Sequence, residues 1–216
     1  MKRNETNSFS DLLRIPGLKS IIASSFALGI AFGGYIPLQS LWLESLGRPF
    51  NQIGLTNGIV GLGIIISAYF VPRFVKILGI TNMILIGLLL AIISASGFRL
   101  TENLYLWLMI KFTKGLGLGL HWVLSEAWLI KISPPKIRPK AIAIYAVAMS
   151  LGFAGGPAII WAFGHTTFLP FFCVSVVLAI TAIPFLFIKK YEPSIMLGSK
   201  SSPIKLILRF PTVVAA

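Results

Sequence analysis

Six long apolar segments take up most of this sequence and restrict what it can fold into. A segment needs about 20 mostly apolar residues to cross the hydrocarbon core of a bilayer. Backbone polar groups in lipid must be satisfied within the segment, and these segments are too long and too unalternating to be barrel strands. The sequence therefore predicts an all-α integral membrane protein with six transmembrane helices, at residues 20–43, 53–72, 80–98, 104–130, 141–163 and 167–188.

The composition agrees with residence in a membrane. Hydrophobic residues make up 56% of the 216 residues and charged residues only 12%, whereas soluble proteins carry about 25% charged residues. The net charge of +13 does not indicate a nucleic-acid partner, because the basic residues lie in short gaps between apolar segments and form no stripe on a soluble domain. We expect the lipid bilayer, and no nucleic acid, as a partner.

The basic residues also predict how the chain threads through the bilayer. Fifteen of the 19 Lys and Arg residues lie on the side that holds both termini. Arg48 and Arg99 lie on the other side, and Lys111 and Lys114 lie inside the fourth segment. Because Lys and Arg accumulate in cytoplasmic loops, we expect a multi-pass protein of the plasma (inner) membrane with both termini in the cytoplasm.

Enzymatic chemistry and bound cofactors are not expected. The single cysteine, Cys173, lies inside an apolar segment, so it can form no intramolecular disulfide and offers no zinc or haem spacing. The sequence contains no P-loop, Gly-x-Ser-x-Gly or His-Glu-x-x-His motif. We therefore predict no enzyme activity, no cofactor and no metal site.

Pairs of glycines recur four residues apart in the apolar segments. Small residues at this spacing let helix backbones approach closely, which favours association where lipid supplies no hydrophobic drive. Three pairs together favour a compact bundle over independent anchors: Gly29 and Gly33, Gly54 and Gly58, and Gly152 and Gly156.

The fourth segment carries a recognisable pattern. In "LMIKFTKGLGLGL" a basic residue is followed by two spacers, a polar residue and Gly-x-Gly. This stretch resembles the helix 4 motif of major facilitator superfamily (MFS) transporters. Lys111 stands where Arg is usual in that motif, Lys114 stands where Gln is common, and Gly115 and Gly117 match.

The fifth segment and the loop between the second and third extend this resemblance. Arg138 resembles the basic residue that opens MFS helix 5, and Gly152-x3-Gly156-Pro157 resembles the core of its glycine-proline motif. The flanking glycines of the full motif, which is associated with antiporters, are absent. The loop has the position and basic residues of the MFS helix 2–3 loop, but no Asp or Glu occurs between Glu44 and Glu102, so its usual charge contact is missing or replaced.

The chain thus resembles the N-terminal six-helix half of an MFS transporter over nearly its whole length. Such transporters consist of two six-helix halves related as parallel repeats, with substrate bound between them near the bilayer midplane. The resemblance implies a cytoplasmic segment at 1–19, a bundle at 20–188, an inter-half linker at 189–211 and the truncated start of a seventh helix at 212–216. The repeat of Leu-Arg-x-Pro at 13–16 and 208–211 agrees with a second copy beginning there.

The fourth segment concentrates polar groups on one face. At 100° per residue, six side chains fit an arc of about 140°, which predicts the wall of a water-filled cavity: Lys111, Lys114, His121, Trp122, Ser125 and Glu126. The remaining face is apolar apart from Thr113. With a rise of about 1.5 Å per residue, the two lysines lie near the midplane, where they favour an anionic solute. The alternative for each lysine is a structural ion pair or snorkelling to the surface.

Glu126 is the only carboxylate within the predicted spans away from the outer end of the first span, and the helical rise places it close to the cytoplasmic surface. It is predicted to pair as a gate with bases such as Arg73, Lys131 or Arg138, or to couple transport to protons. His121 is a second proton-coupling candidate, with the alternative of a hydrogen-bonded packing residue.

Tyr35, Gln39 and Trp42 share one face of the first segment. They are predicted either to line the solute path with Lys111, Lys114 and Trp122, or, for the aromatic pair, to mark the outer interface.

Two functions follow from these patterns. The first is a secondary transporter of a small solute, present as an N-terminal half and working with a C-terminal half or a second copy. The second is a non-transporting membrane remnant or interaction scaffold, because one half cannot enclose a site by the usual mechanism.

Overall fold

The computed structural model describes residues 14–193, and their regular structure is helical. Seven α-helices are numbered here in chain order: α1 Leu18–Ser45, α2 Phe50–Leu78, α3 Ile80–Gly97, α4 Leu104–Ile132, α5 Arg138–Gly155, α6 Ala158–Phe163 and α7 Leu169–Ile188. Short 3-10 turns at Phe98–Leu100 and Lys189–Tyr191 extend α3 and α7. The predicted helix start at 212–216, the repeated motif at 208–211 and the linker beyond residue 193 lie outside the described residues.

Five helical segments are long and apolar enough to cross a membrane: Leu18–Ser45, Phe50–Leu78, Ile80–Leu100, Arg138–Phe163 and Leu169–Tyr191. The all-helical prediction is thereby confirmed for the described part of the chain. The fourth predicted span forms a helix of 29 residues, α4, but its lysines, His121 and Glu126 make it more polar than the other five. That α4 also crosses the membrane, which would make six crossings in all, stays a prediction.

The fifth predicted span is interrupted at Gly156 and Pro157, between α5 and α6. Proline has no N–H to donate to the carbonyl four residues earlier, so a continuous helix would leave the Phe153 oxygen unpaired. The Gly156 N–H instead donates to the oxygens of both Gly152, at 3.0 Å, and Phe153, at 3.3 Å. The regular helix is therefore interrupted at this point, while the Phe153 oxygen keeps a hydrogen-bond donor.

The helices pack as two groups of three. In one group α4 lies against α2 and α3, in the other α1 lies against α5 and α7, and α3 joins the groups by packing on α7. Exchanging α1 with α4, α2 with α5 and α3 with α7 reproduces these main contacts. Because α1 and α4 run in opposite directions, this is the pattern of an inverted repeat of three helices.

Charge separates the two ends of the bundle. We call the end where α1 begins and α7 finishes the basic end. There the Lys189 Nζ donates to Asn82 Oδ1 at 3.2 Å, which joins the end of α7 to the start of α3. This end carries ten of the described basic residues: Arg14, Lys19, Arg73, Lys76, Lys131, Lys136, Arg138, Lys140, Lys189 and Lys190. The opposite end carries Arg48 and Arg99.

Glycines allow the closest helix contacts. A Cβ added to Gly29 or Gly33 of α1 would overlap the backbone oxygens of Met149 or Phe153 in α5, and one on Gly152 would overlap the Phe26 oxygen. Backbone contact at this distance is open only to glycine. On α2 the arrangement differs, since a Cβ on Gly54 or Gly58 would have no neighbour within 4 Å among the described residues.

Candidate solute cavity and its surroundings

A cavity of about 460 Å³ opens between α4 and α5; we call it the α4–α5 cavity. It lies toward the basic end, because α4 finishes and α5 begins there. Trp122 and Glu126 of α4 form one wall, and the other wall belongs to α5 and is lined by Ile142, Tyr145, Ala146, Met149, Ser150 and Phe153.

Helical periodicity produces this cavity. Trp122 and Glu126 are four residues apart on α4, and the α5 residues follow one another at intervals of three, one, three, one and three, which places them on a single face. Another face of α5, with Gly152, packs on α1. The packing on α1 therefore turns the lining residues of α5 toward α4.

Glu126 supplies the charge of the cavity lining. It is half-buried, and within residues 14–193 it forms no ion pair and no side-chain hydrogen bond. The neighbouring Tyr145 is buried, and its hydroxyl lies 3.2 Å from the Ser125 Oγ. The Trp122 ring meets Phe32 of α1 edge-on, with centroids 6.1 Å apart. The cavity is thus aromatic, with one carboxylate lacking a protein counter-charge in the described region.

Lys111 lies outside this cavity and points into the bundle. Its side chain is fully buried, and its Nζ donates to Thr56 Oγ1 at 3.0 Å and Asn57 Oδ1 at 2.8 Å. The Asn57 amide in turn donates to Ser40 Oγ at 3.1 Å. The ammonium group therefore joins α4 to α2 and, through Asn57, to α1.

Lys114 is also buried and points toward α1. Its Nζ lies 2.7 Å from the centroid of the Tyr35 ring, a cation–π contact. The Tyr35 hydroxyl donates to the Ser94 oxygen at 3.5 Å. Gln39 is buried nearby on α1, and its Nε2 has no hydrogen-bond partner among the described residues. Of the predicted path residues, the structure brings together Lys114 with Tyr35, and Trp122 with Glu126.

Cation–π contacts cover the opposite end of the bundle. The Arg99 guanidinium lies 4.1 Å from the Trp42 ring centroid, and the Arg48 guanidinium lies 5.0 Å from that of Trp107. The Arg48 Nη2 also donates to the Glu102 oxygen at 2.7 Å. These contacts tie two of the loops at this end, α1–α2 and α3–α4, to the aromatic residues beneath them.

His121 is buried and bonded to α1. The Ser24 hydroxyl lies 3.1 Å from the Thr181 oxygen, to which it can donate, and 2.9 Å from His121 Nε2. Both contacts are satisfied together in the tautomer in which Nε2 carries the hydrogen and donates to Ser24. The Nδ1 atom is buried and has no partner in the described region. His121 thus links α4 to α1 and α7 and lies apart from the residues that line the α4–α5 cavity.

The two predicted gating arginines do not contact Glu126. Arg138 donates through Nε and Nη2 to the Ser133 oxygen, at 3.4 and 3.3 Å, and so closes the turn between α4 and α5. Arg73 is exposed on α2. Residues 14–193 also contain no group of three or more His, Cys, Asp or Glu residues that could hold a metal ion.

Sequence reasoning did not find the α5 wall of the cavity. Its regular helical spacing, with Tyr145 and Ser150 in an apolar segment, is a pattern that could have revealed it. The polar pair Thr56 and Asn57 inside the second apolar segment likewise predicts a buried interaction, here with Lys111.

Long apolar helices that pack around an open cavity with one charged group are typical of a multi-pass membrane protein. The sequence model of the protein family described as "Major Facilitator Superfamily" matches residues 21–215. The chain belongs to the major facilitator superfamily, which confirms the resemblance of its motifs. Members of this superfamily are transporters and generally not enzymes.

Several bacterial proteins are similar to this chain. It is 25% identical over 150 residues to "Uncharacterized MFS-type transporter YfkF" of Bacillus subtilis, covering 68% of this chain and 38% of the relative. It is 25% identical over 178 residues to "Multidrug resistance protein 2" of the same organism, covering 81% of this chain and 44% of the relative. An "Uncharacterized MFS-type transporter" of Yersinia pestis is 26% identical over 115 residues, covering 53% of this chain and 30% of the relative. The chain spans less than half the length of these relatives.

Proposed function

We propose that this chain is the N-terminal six-helix half of a secondary transporter that moves a small solute by alternating access. In this proposal α4 crosses the membrane in addition to the five apolar segments, and α5 and α6 together form one crossing. The observation that carries the proposal is the α4–α5 cavity, because an ionisable residue inside a membrane bundle marks a solute or ion pathway by default. The inverted repeat of three helices supports it, since such repeats are nested in each half of these transporters.

Trp122 and Glu126 are the path residues that the cavity supports best. Lys111, Lys114, Tyr35 and Gln39 would act from inside the bundle, where a change in helix packing exposes them to solute. The anionic solute favoured by the lysines stays a prediction, since both ammonium groups already have protein partners and the cavity holds a carboxylate instead. Glu126 and His121 remain the proton-coupling candidates.

The location we propose is the plasma (inner) membrane, with the basic end facing the cytoplasm. The distribution of described basic residues supports this orientation, because cytoplasmic loops of membrane proteins are enriched in Lys and Arg. Both termini would then lie in the cytoplasm.

We propose a second six-helix half, or a second copy of this chain, as the partner. The apolar faces of α2 and α5 support this, with Tyr69 73% and Leu151 62% exposed. The alternative function is a non-transporting scaffold or remnant. The alignments cover less than half of each of two relatives, so the activity of a whole transporter is here a proposal.

The test is a transport screen in bacterial cells. This chain is expressed alone and together with the DNA that follows its coding region, and the distribution of labelled sugars, peptides, organic anions and organic cations is measured under proton and sodium gradients. We expect gradient-dependent movement of at least one solute only when six further helices are supplied. Gly33→Leu, which disrupts the contact of α1 with α5, is the inactive control. If no solute moves although both halves reach the membrane, the scaffold function is supported instead.

A further inference from the structure

We propose that the α4–α5 cavity binds an amphipathic organic monocation, with Glu126 as its counter-charge. Movement of such a cation across the membrane rests on the proposed transport function, whereas its binding to the cavity does not.

The charges around the cavity carry the first step. Glu126 is the single ionisable side chain of the lining apart from the phenol of Tyr145, and it has no ion-pair partner among the described residues. A carboxylate at the edge of a low-dielectric bundle is stabilised strongly by a nearby positive charge. Two of the α4 lysines, Lys111 and Lys114, point away toward α2 and α1. The third, Lys131, is exposed and forms no ion pair with Glu126 among the described residues. A cationic solute would supply the missing charge.

The rest of the lining selects the kind of cation. Trp122 and Phe153 present aromatic rings, which attract cations over their faces, and Met149 adds a polarisable, adaptable side chain. Neutral hydrogen-bonding groups are few, since the Tyr145 hydroxyl is already paired with Ser125, and Ser150 is the other hydroxyl of the lining. A primary ammonium would lack acceptors for its three N–H groups. A quaternary or aryl-substituted cation needs none and gains from the apolar walls.

The size of the cavity agrees with one such molecule. Small-molecule sites have volumes of about 300–1,000 Å³ and combine apolar walls with a few polar groups. The α4–α5 cavity, at about 460 Å³, falls within this range and holds its one carboxylate beside aromatic rings.

Two probes of nearly equal shape and opposite charge test the proposal. The 216-residue chain is placed in nanodiscs of neutral phosphatidylcholine, and binding of radiolabelled tetraphenylphosphonium and tetraphenylborate is measured by equilibrium dialysis, with empty nanodiscs subtracted. We expect saturable binding of the phosphonium and none of the borate. Glu126→Gln should weaken phosphonium binding at least about tenfold, as charge-assisted contacts contribute more than neutral ones. Glu102→Gln, an exposed carboxylate at the opposite end, should leave binding unchanged and is the matched control.

Equal or tighter binding of the borate by the wild-type chain would overturn the proposal, whatever the variants do. Unchanged phosphonium affinity in a folded Glu126→Gln protein would overturn it as well. If Glu126→Gln does not fold, Trp122→Leu is used, and retention of full affinity counts against the cavity. If the phosphonium binds in a Glu126-dependent way but no solute is moved, this inference holds and the proposed transport function fails. If a solute is moved but the phosphonium does not bind, the transport function holds and this inference fails.

Discussion

At the scale of single residues, Lys111 is held by neutral acceptors rather than by a carboxylate. Thr56 and Asn57 accept its hydrogen bonds while the side chain is fully buried. Removing an acceptor leaves a buried charge short of a partner, whereas removing the charge leaves only neutral groups. The two kinds of substitution should therefore differ in cost.

We predict that Asn57→Leu destabilises the protein more than Lys111→Met does. Hydrogen bonds to charged groups contribute about 1.5–3 kcal/mol, so the Asn57 variant should lose about 2 kcal/mol of unfolding free energy. The double variant should be close to Lys111→Met alone, because no buried charge then remains. Unfolding in mixed micelles with increasing denaturing detergent measures all three.

Additive losses in the double variant would contradict this account, because residues that share one interaction are expected to couple. Ser96→Ala is a suitable control, since the Ser96 hydroxyl pairs with Ser175 between α3 and α7 and is separate from the lysine.

The residue types of this site could be predicted from the sequence, but the neighbouring helix that each side chain contacts could not. Lysines in an apolar segment must have polar surroundings, and the polar arc of α4 groups Lys111 with Glu126. The structure divides that arc along its length. Lys111 and Lys114 meet α2 and α1, His121 meets α1, and Trp122 and Glu126 line the cavity. Helical periodicity fixes the angle of each residue but not which neighbour lies there.

At the scale of elements, a carboxylate distant in sequence caps α3. The Ile80 N–H, at the start of α3, donates to Glu192 Oε1 at 2.5 Å. The α2–α3 loop contains no acidic residue of its own, so the negative charge that suits a helix N-terminus comes from 112 residues later in the chain. Glu192 thereby attaches the segment after α7 to the basic end.

We predict that Glu192→Ala loosens the start of α3. Removing a capping group typically costs about 1 kcal/mol, and the loss should appear as faster hydrogen exchange at the amides of Ile80 and its immediate successors. Exchange in the middle of α3, near Leu88, should not change. Glu44→Ala, an exposed carboxylate on α1, is the control, and equal effects of both variants would contradict the cap.

The glycines of α1 and α2 should respond oppositely to alanine. Gly33→Ala would force the Phe153 backbone away from α1, and overpacking of this kind costs about 1–3 kcal/mol. Gly58→Ala meets no described neighbour and should be neutral or stabilising by up to about 1 kcal/mol, as alanine favours helix over glycine. Thermal unfolding in detergent compares them. A large loss of stability in Gly58→Ala would show that a second copy covers α2 under those conditions.

Most helices could be predicted from apolar length alone, because lipid leaves few alternatives to a helix. The bounds of α1 and α3 differ from the predicted segments by a few residues. The interruption at Gly156 and Pro157 could not be placed, since Pro37, Pro72 and Pro184 lie inside helices that continue through them. Whether a proline interrupts a helix depends on the packing around it and not on its presence.

At the scale of the whole molecule, the symmetric packing leaves two different surfaces. α1 and α4 are the central helices of their groups, while α2 and α5 expose apolar side chains such as Ile65 and Leu151. The cavity lies beside α5, so any partner that covers α5 would close it from the side. The position of the cavity therefore agrees with a solute path shared with a second half.

The separation of charge between the two ends predicts the orientation of the molecule. On a Cys173→Ala background, Lys136→Cys places a thiol at the basic end and Glu102→Cys places one at the opposite end; both positions are exposed. Because basic loops remain in the cytoplasm, a membrane-impermeant maleimide should label the Glu102 variant in intact cells and the Lys136 variant in inside-out vesicles. The reverse pattern would invert the topology. Labelling of both variants on one side would contradict an odd number of crossings between them, and with it the proposal that α4 spans the bilayer.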